Sequence, residues 1–512
     1  MSNQAPNILF IQTDQLTAFS LSAYGNEYCK TPHIDKLADN GIVFETAYCN
    51  FPLCAPSRYS MAAGQLASQI GAYDNAVEFP ASIPTYAHYL RAAGYQTCLS
   101  GKMHFVGPDQ LHGFEQRLTP DIYPADFSWA PNWADEGQRD TSDTTGVTTS
   151  GKCADSVQLK YDSLVQQQAL DKLCEIGTGV DSRPFFLQVS FTHPHDPYLC
   201  LKEHWDRYEG LNVPMPTVSA KPGDWHDAHS RRILAQHSML DYAFDETDIK
   251  RARRAYYGSV SYIDDCVGEL MSALQENQLS NNTIVVFTSD HGEMLGERGM
   301  WFKKTFFEPA LRVPMIIHGP NRIPTKRVQT PVSLLDLLPT FVSWATDKPL
   351  DPSEPLDGDD LNQFISSIDD NSERVIRAEY LSETTTAPIY MVKRGPLKFI
   401  SSVDDANLLF DLGHDPHETN NVADHPDYAR QVEWFENDIR AYWDNEALTH
   451  NIILSQKRRQ LLIKANSTGQ NTAWDFADTN ATAQETNAEP WYRGQQGYNA
   501  WAYNYTPVPD EQ

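Results

Sequence analysis

The alternation of short apolar runs with helix-competent segments predicts an α/β chain. The expected architecture is a large doubly wound mixed sheet flanked by helices, then a smaller C-terminal α+β domain and an extended tail. Three observations carry this expectation. Runs at 7–13, 95–99, 185–191, 283–288 and 313–317 are apolar and bounded by Pro, Gly or charge. Helix-like stretches at 33–40, 84–93, 250–276 and 333–345 lie between or beside them. After an acidic, Pro- and Asp-rich seam at 346–373, strand-like pieces at 390–393, 397–401 and 407–412 precede a helix-like stretch at 427–443.

Taken in order, the first run ends at Asp14 and reads as a buried parallel strand with an acid at its carboxyl end. Ligand sites of doubly wound sheets lie at the carboxyl ends of strands. The residues that close the other strands are therefore the candidates: Lys102 and His104, then His193 and His195, then Asp290 and His291. The seam divides the chain into an expected catalytic domain at 1–375, a small antiparallel-sheet domain at 376–464 and a tail at 465–512. Disordered tails are poor in aromatics. This one carries Trp474, Trp491, Tyr492, Tyr498, Trp501, Tyr503 and Tyr505, and is expected to dock on something. Residues 135–151 read as an irregular insertion.

With 40 Lys and Arg against 68 Asp and Glu, the formal net charge of the 512 residues is -28. That disfavours nucleic acid and anionic membranes as partners. The first residues carry neither a basic region nor an apolar stretch of signal-peptide length, and no transmembrane segment is expected. The 8 cysteines are scattered without paired spacing, which argues against a zinc motif or a disulfide framework and for a cytoplasmic setting.

Cys54-Ala55-Pro56-Ser57-Arg58 puts a thiol and a guanidinium one helical turn apart at a helix start, which suits an anionic substrate. Asp14, Asp290 and His291 suit one divalent cation of the calcium, magnesium or manganese type, although such acids taken singly as often cap helices. Lys102 and His104 fall two apart, so in extended backbone they share a face and together suit anion binding and leaving-group protonation. His193, nearer the strand end than His195, is expected at the site, and Lys303 as a last cation with Lys304 in solvent. The segment 121–133 crowds Tyr123, Trp129 and Trp133 beside two acids. Aromatic faces with carboxylates suit a quaternary ammonium group. On its residues alone, a packed loop is the more ordinary expectation.

These motifs, in this order, resemble the type I sulfatases of the alkaline phosphatase superfamily. The resemblance runs over most of the chain and includes Asn407-Leu408-Leu409-Phe410-Asp411-Leu412 with Asp415-Pro416. It implies that Cys54 is converted by a maturation enzyme to formylglycine, whose hydrate is the nucleophile. It also implies the catalytic set Cys54, Arg58, Lys102, His104, His193 and Lys303, and one divalent ion, calcium first, on Asp14, Cys54, Asp290 and His291. Within the family the similarity is strongest to members acting on choline-O-sulfate, which makes Asn75, Tyr123, Trp129 and Trp133 substrate-contacting candidates. A homodimer or homotetramer through the C-terminal tail is implied too. The rivals are a phosphonate or phosphate monoester hydrolase or an arylsulfatase on the same scaffold. A non-catalytic anion or ammonium binder is the rival of another class, should Cys54 stay unmodified.

Overall fold

The computed structural model describes residues 5–135, 143–220, 225–240, 242–319, 322–367, 372–470, 473–476 and 504–508. Eight strands form the large sheet: β1 (Asn7–Thr13), β2 (Ile42–Phe44), β3 (Gln96–Gly101), β4 (Gln116–Arg117), β5 (Phe185–Ser190), β6 (Thr283–Ser289), β7 (Met315–His318) and β8 (Lys326–Val328). Their spatial order is β8-β2-β7-β6-β1-β5-β3-β4. Among these strands β7 alone runs against the rest, so the sheet is mixed as expected.

The four central strands β6, β1, β5 and β3 are parallel and almost wholly buried. Register places Phe10 opposite Gln188 and Ile8 opposite Phe186, so these side chains share one face of the sheet. There Phe10 and Phe186 meet Tyr86 and Phe341 from two covering helices, with Phe10 and Phe341 centroids 5.4 Å apart. The other face carries Ser100, which donates to Val165 O at 2.8 Å on a covering helix, Val157–Gly177.

That 21-residue helix was not expected from the sequence. Its buried positions include Gln158, Asp162, Gln166 and Lys172, so its apolar periodicity is interrupted. Within the described part of the seam, Asp357 Oδ2 accepts Leu66 N at 2.7 Å and Leu361 N donates to Thr340 Oγ1 at 2.8 Å, which ties it to the body. Strands β9 (Ile376–Tyr380), β10 (Ile389–Arg394), β11 (Leu397–Ser402) and β12 (Leu408–Asp411) make an antiparallel meander. Two helices follow it, Ala429–Tyr442 and Asn445–Asn466, of which the second was not expected.

Of the tail, Trp474 meets Phe127 edge-on at 5.1 Å, and Tyr505–Pro507 pairs with the strand Gly151–Ser156. Trp491, Tyr492, Tyr498, Trp501 and Tyr503 lie outside the described residues. All 8 cysteines are free. Among the described residues no helix is long and apolar enough to cross a membrane.

Candidate active site

Four adjacent strands deliver their closing residues to one place: Asp14 after β1, Lys102 after β3, His195 beyond β5, and Asp290 with His291 after β6. The close packing has a local requirement. A Cβ on Gly101 would sit 2.0 Å from Ser190 O on the neighbouring strand, so only glycine lets Lys102 leave the sheet there.

Helix α1 (Cys54–Ala63) points its first turn at these strand ends, with Cys54 as its first residue. Pro56 sits in that first turn, where its missing N–H costs nothing. Ala55 N donates to Asn75 Oδ1 at 3.0 Å, which occupies one of the helix's free donors. Arg58 follows one turn on, on the face of Cys54.

Arg58 is fully buried. Its Nε donates to Asp290 Oδ2 at 2.8 Å and its Nη1 to Lys102 O and Ser190 Oγ, while Nη2 makes no hydrogen bond among the described residues. A buried cationic donor without such a partner beside Cys54 suits an anionic substrate. Lys102 Nζ contacts Asp14 Oδ2. The two carboxylates thus divide their oxygens in the same way. Each Oδ2 meets a cation, and each Oδ1 lies 3.7 Å from His291 Nε2.

Cys54 Sγ closes this set, 3.3 Å from His291 Nε2 and 3.8 Å from Asp14 Oδ1. Donors at right angles around an ion about 2.4 Å away stand about 3.4 Å apart. The four groups, all buried, therefore fit one divalent cation, as an isolated pair of capping acids would not. Burial opposes ionisation of Asp14, but the neighbouring cations Lys102 and Arg58 hold its carboxyl well below the usual range. Burial lowers the His291 imidazole, which keeps it in the neutral, ligating form.

Lys303 is buried, its Nζ contacting Gln15 Oε1 and lying 2.6 Å from His195 Nε2. Burial alone would lower the Lys303 ammonium; Cys54, Asp196, Asp14 and Asp290 raise it instead. Since the ammonium donates, His195 Nε2 accepts, and His195 Nδ1 donates to Asp196 O at 2.6 Å. Gln15 Nε2 donates to Asp196 Oδ1 and Glu293 Oε2 while its Oε1 meets Lys303, bracing that lysine.

His193 is a correction. Its Nδ1 faces Asp162 Oδ2 at 2.6 Å on the Val157–Gly177 helix, and its ring lies 5.3 Å from that of Tyr262. The chain thus brings His195, not His193, to Lys303. Lys304 is a second correction. It is buried, 3.2 Å from Glu383, because left-handed backbone at Phe302 and Lys304 turns both lysines inward.

Tyr123 joins the anion-facing groups to the aromatic segment. Lys102 Nζ stands 4.1 Å from its ring centroid, the His104 ring 4.8 Å, and Trp129 meets it edge-on at 5.1 Å. His104 does not share an extended strand with Lys102; its φ is 60°, and Asp121 Oδ2 accepts the N–H groups of Met103 and His104. Asp121 also pairs with Arg117 at 2.9 Å, and Asp126 is exposed. Asp121 is thus engaged by Arg117 and by backbone N–H groups, that of Tyr123 included. Trp133 departs from the expected cage. Its Nε1 donates to Ser382 O at 2.7 Å and its N–H to Gln456 Oε1 at 2.9 Å, anchoring the segment's far end.

Comparison with known proteins gives the family. The sulfatase family model matches residues 6–347, and a model of the N-sulphoglucosamine sulphohydrolase C-terminal region matches 296–444. A choline-sulfatase of Rhizobium meliloti is 41% identical over 93% of this chain and 94% of its own. An arylsulfatase of Clostridium perfringens is 27% identical over 84% of this chain and 92% of its own. Among solved structures, a phosphonate monoester hydrolase from Silicibacter pomeroyi superposes with a TM-score of 0.70 at 22% identity, over 85% of this chain and 95% of that one. With Cys54, Arg58 and the paired acids gathered at the strand ends, the chain belongs to the sulfatase family and is a sulfatase.

Proposed function

We propose that the protein hydrolyses choline-O-sulfate to choline and sulfate. The observation that carries this is Tyr123, shared between the cation Lys102 and the Trp129 corner, so that an anion and an apolar cation fit side by side. A quaternary ammonium has no N–H to donate and binds by charge and by the faces of aromatic rings. The 41% identical relative is itself a choline-sulfatase.

A divalent ion of the calcium, magnesium or manganese class, held by Asp14, Asp290, His291 and the side chain of residue 54, supplies charge neutralisation for the sulfate oxygens. Formylglycine, made from Cys54 by a maturation enzyme, would supply a hydrated aldehyde as the nucleophile at the first turn of α1. The chain's own residues do the remainder. Arg58, Lys102 and Lys303 converge on the sulfate position and stabilise charge that grows there as the ester S–O bond breaks. The departing alkoxide takes a proton from His104, or from His195 once its Nε2 has received one from the Lys303 ammonium, the two imidazoles lying on the Tyr123 side. Asn75 holds the first turn of α1, and with it residue 54, against the strand ends.

The test is kcat/KM on three esters, choline sulfate, 4-nitrophenyl sulfate and a phosphodiester, alongside intact mass of the peptide containing residue 54. Choline sulfate is expected to lead, with a formylglycine signature in place of the thiol. A leading phosphodiester or aryl sulfate would overturn the substrate, and an unmodified thiol in active protein the nucleophile.

A further inference from the structure

Helix α2 (Asn445–Asn466) lies beyond the residues that either family model matches. Its buried positions are Leu448, Ile452, Gln456 and Arg459, spaced as one stripe. The first two pack as such a stripe should. The last two are polar, buried to within a few per cent of full burial, and each reaches a different half of the substrate site.

Arg459 grips Asp74 with a two-pronged contact, Nη1 to Oδ1 and Nη2 to Oδ2, both 2.6 Å. Asp74 Oδ1 also accepts Ala76 N at 2.9 Å, which locks the turn holding Asn75. Asn75 in turn accepts Ala55 N, next to Cys54. One residue therefore links the helix to the nucleophile position through two intermediates. Three positions earlier, Gln456 Oε1 accepts Trp133 N, four residues beyond Trp129. A buried guanidinium and a buried amide on one stripe are poor choices for packing alone, because each must be desolvated.

We propose that α2 is a positioning helix. Arg459 sets the sulfate half of the site through Asp74 and Asn75, and Gln456 sets the alcohol half through Trp133. The second arm rests on choline sulfate as substrate; the first does not. Neither residue touches substrate. Misplacement by about 1 Å at a reacting group lowers rate by about 100-fold, so a strut this far away still reads in kinetics.

The experiment measures kcat and KM on choline sulfate and 4-nitrophenyl sulfate for Arg459→Lys, Arg459→Ala, Gln456→Leu and Gln456→Glu. Rates are normalised to the folded fraction by near-ultraviolet circular dichroism and to formylglycine content by mass. Arg459→Lys keeps charge but loses the planar fork. It is expected to lower kcat about ten-fold on both esters with KM nearly unmoved, and Arg459→Ala further, by about 100-fold. Gln456→Leu is expected to lower the choline-to-aryl ratio of kcat/KM about ten-fold. Gln456→Glu keeps the acceptor for Trp133 N–H and is expected to restore that ratio.

Normalised kinetics equal to wild type in all four variants, or equal losses on both esters for the Gln456 pair, would overturn the proposal as a purely structural role predicts. A wild type that ignored choline sulfate would remove the substrate and the Gln456 arm with it. The Arg459 arm would still be decided on the aryl ester.

Discussion

The sulfate side and the alcohol side of the site are built differently. Asp14, Arg58, Lys102, Asp290 and His291 are each 0% exposed and come from parallel strand ends or the first turns of one helix. Tyr123, Trp129 and Trp133 come from an irregular segment kept in place by residues far along the chain: Ser382, Gln456, Trp474 and Asp475. Sheet hydrogen bonding fixes the strand-end members of the first group, and Asn75 holds the start of the helix that carries Arg58. The second group depends on a handful of struts, so its shape can change while the chemistry stays. A conserved reaction on variable alcohols is what such a division allows.

The division breaks most visibly at residue 54. Cys54→Ala removes the proposed nucleophile, and kcat is expected to fall by about 10⁴-fold or more on every ester tried. Should choline sulfate keep more than a few per cent of its turnover while aryl sulfate loses it, the two sides would not share one reacting centre.

The next test separates the two histidines. His195→Ala is expected to lower kcat on choline sulfate by about 100-fold or more, since an alkoxide leaves poorly without a proton. The loss on 4-nitrophenyl sulfate should be smaller, because a nitrophenolate leaves unaided. His193→Ala instead removes one partner of Asp162, the ring Nδ1 at 2.6 Å. It is expected to lower stability by about 1–3 kcal/mol, seen as a fall in Tm, with kcat close to wild type. The reverse pattern in the two variants would return His193 to the site.

That pair also shows what the sequence could and could not disclose. Asp14, Asp290 and Lys102 were legible because an apolar run ending in a charged residue is a local signal, and the doubly wound sheet brings such ends together. His193 and His195 differ locally in their distance from the strand end, which favours His193. What reverses that is Asp162, which takes the N–H and ring Nδ1 of His193 from a helix the sequence hid. That helix and α2 escaped for one reason. Their buried stripes carry Gln158, Asp162 and Gln166 in one and Gln456 and Arg459 in the other, where periodicity looks for apolar residues. Of these polar residues, Gln158, Gln456 and Arg459 reach toward the site, bonding Asp196 O, Trp133 N and Asp74, while Gln166 bonds a neighbouring helix. Trp133 was misplaced by the same blindness, since its partners Ser382 and Gln456 lie 249 and 323 positions away.

The smallest expected effect is the one that most sharpens the division. Trp129 meets Tyr123 edge-on and stands 5.8 Å from the His104 ring, partly exposed where the alcohol would lie. One aromatic face is worth about 1–2 kcal/mol to a desolvated cation, so Trp129→Ala should raise KM for choline sulfate about ten-fold. Because the ring packs on Tyr123 and His104, kcat should move by less than about three-fold, and KM for 4-nitrophenyl sulfate less than KM for choline sulfate. Trp129→Phe keeps a smaller face and should fall between. Lowering ionic strength separates charge from face: added salt screens long-range attraction to the -28 chain, but a contact inside the corner should keep the same mutant-to-wild-type ratio of KM at every salt. A ratio that collapsed with salt would mean that Trp129 shapes the approach of a cation rather than its seat, and the alcohol side would have to be sought elsewhere.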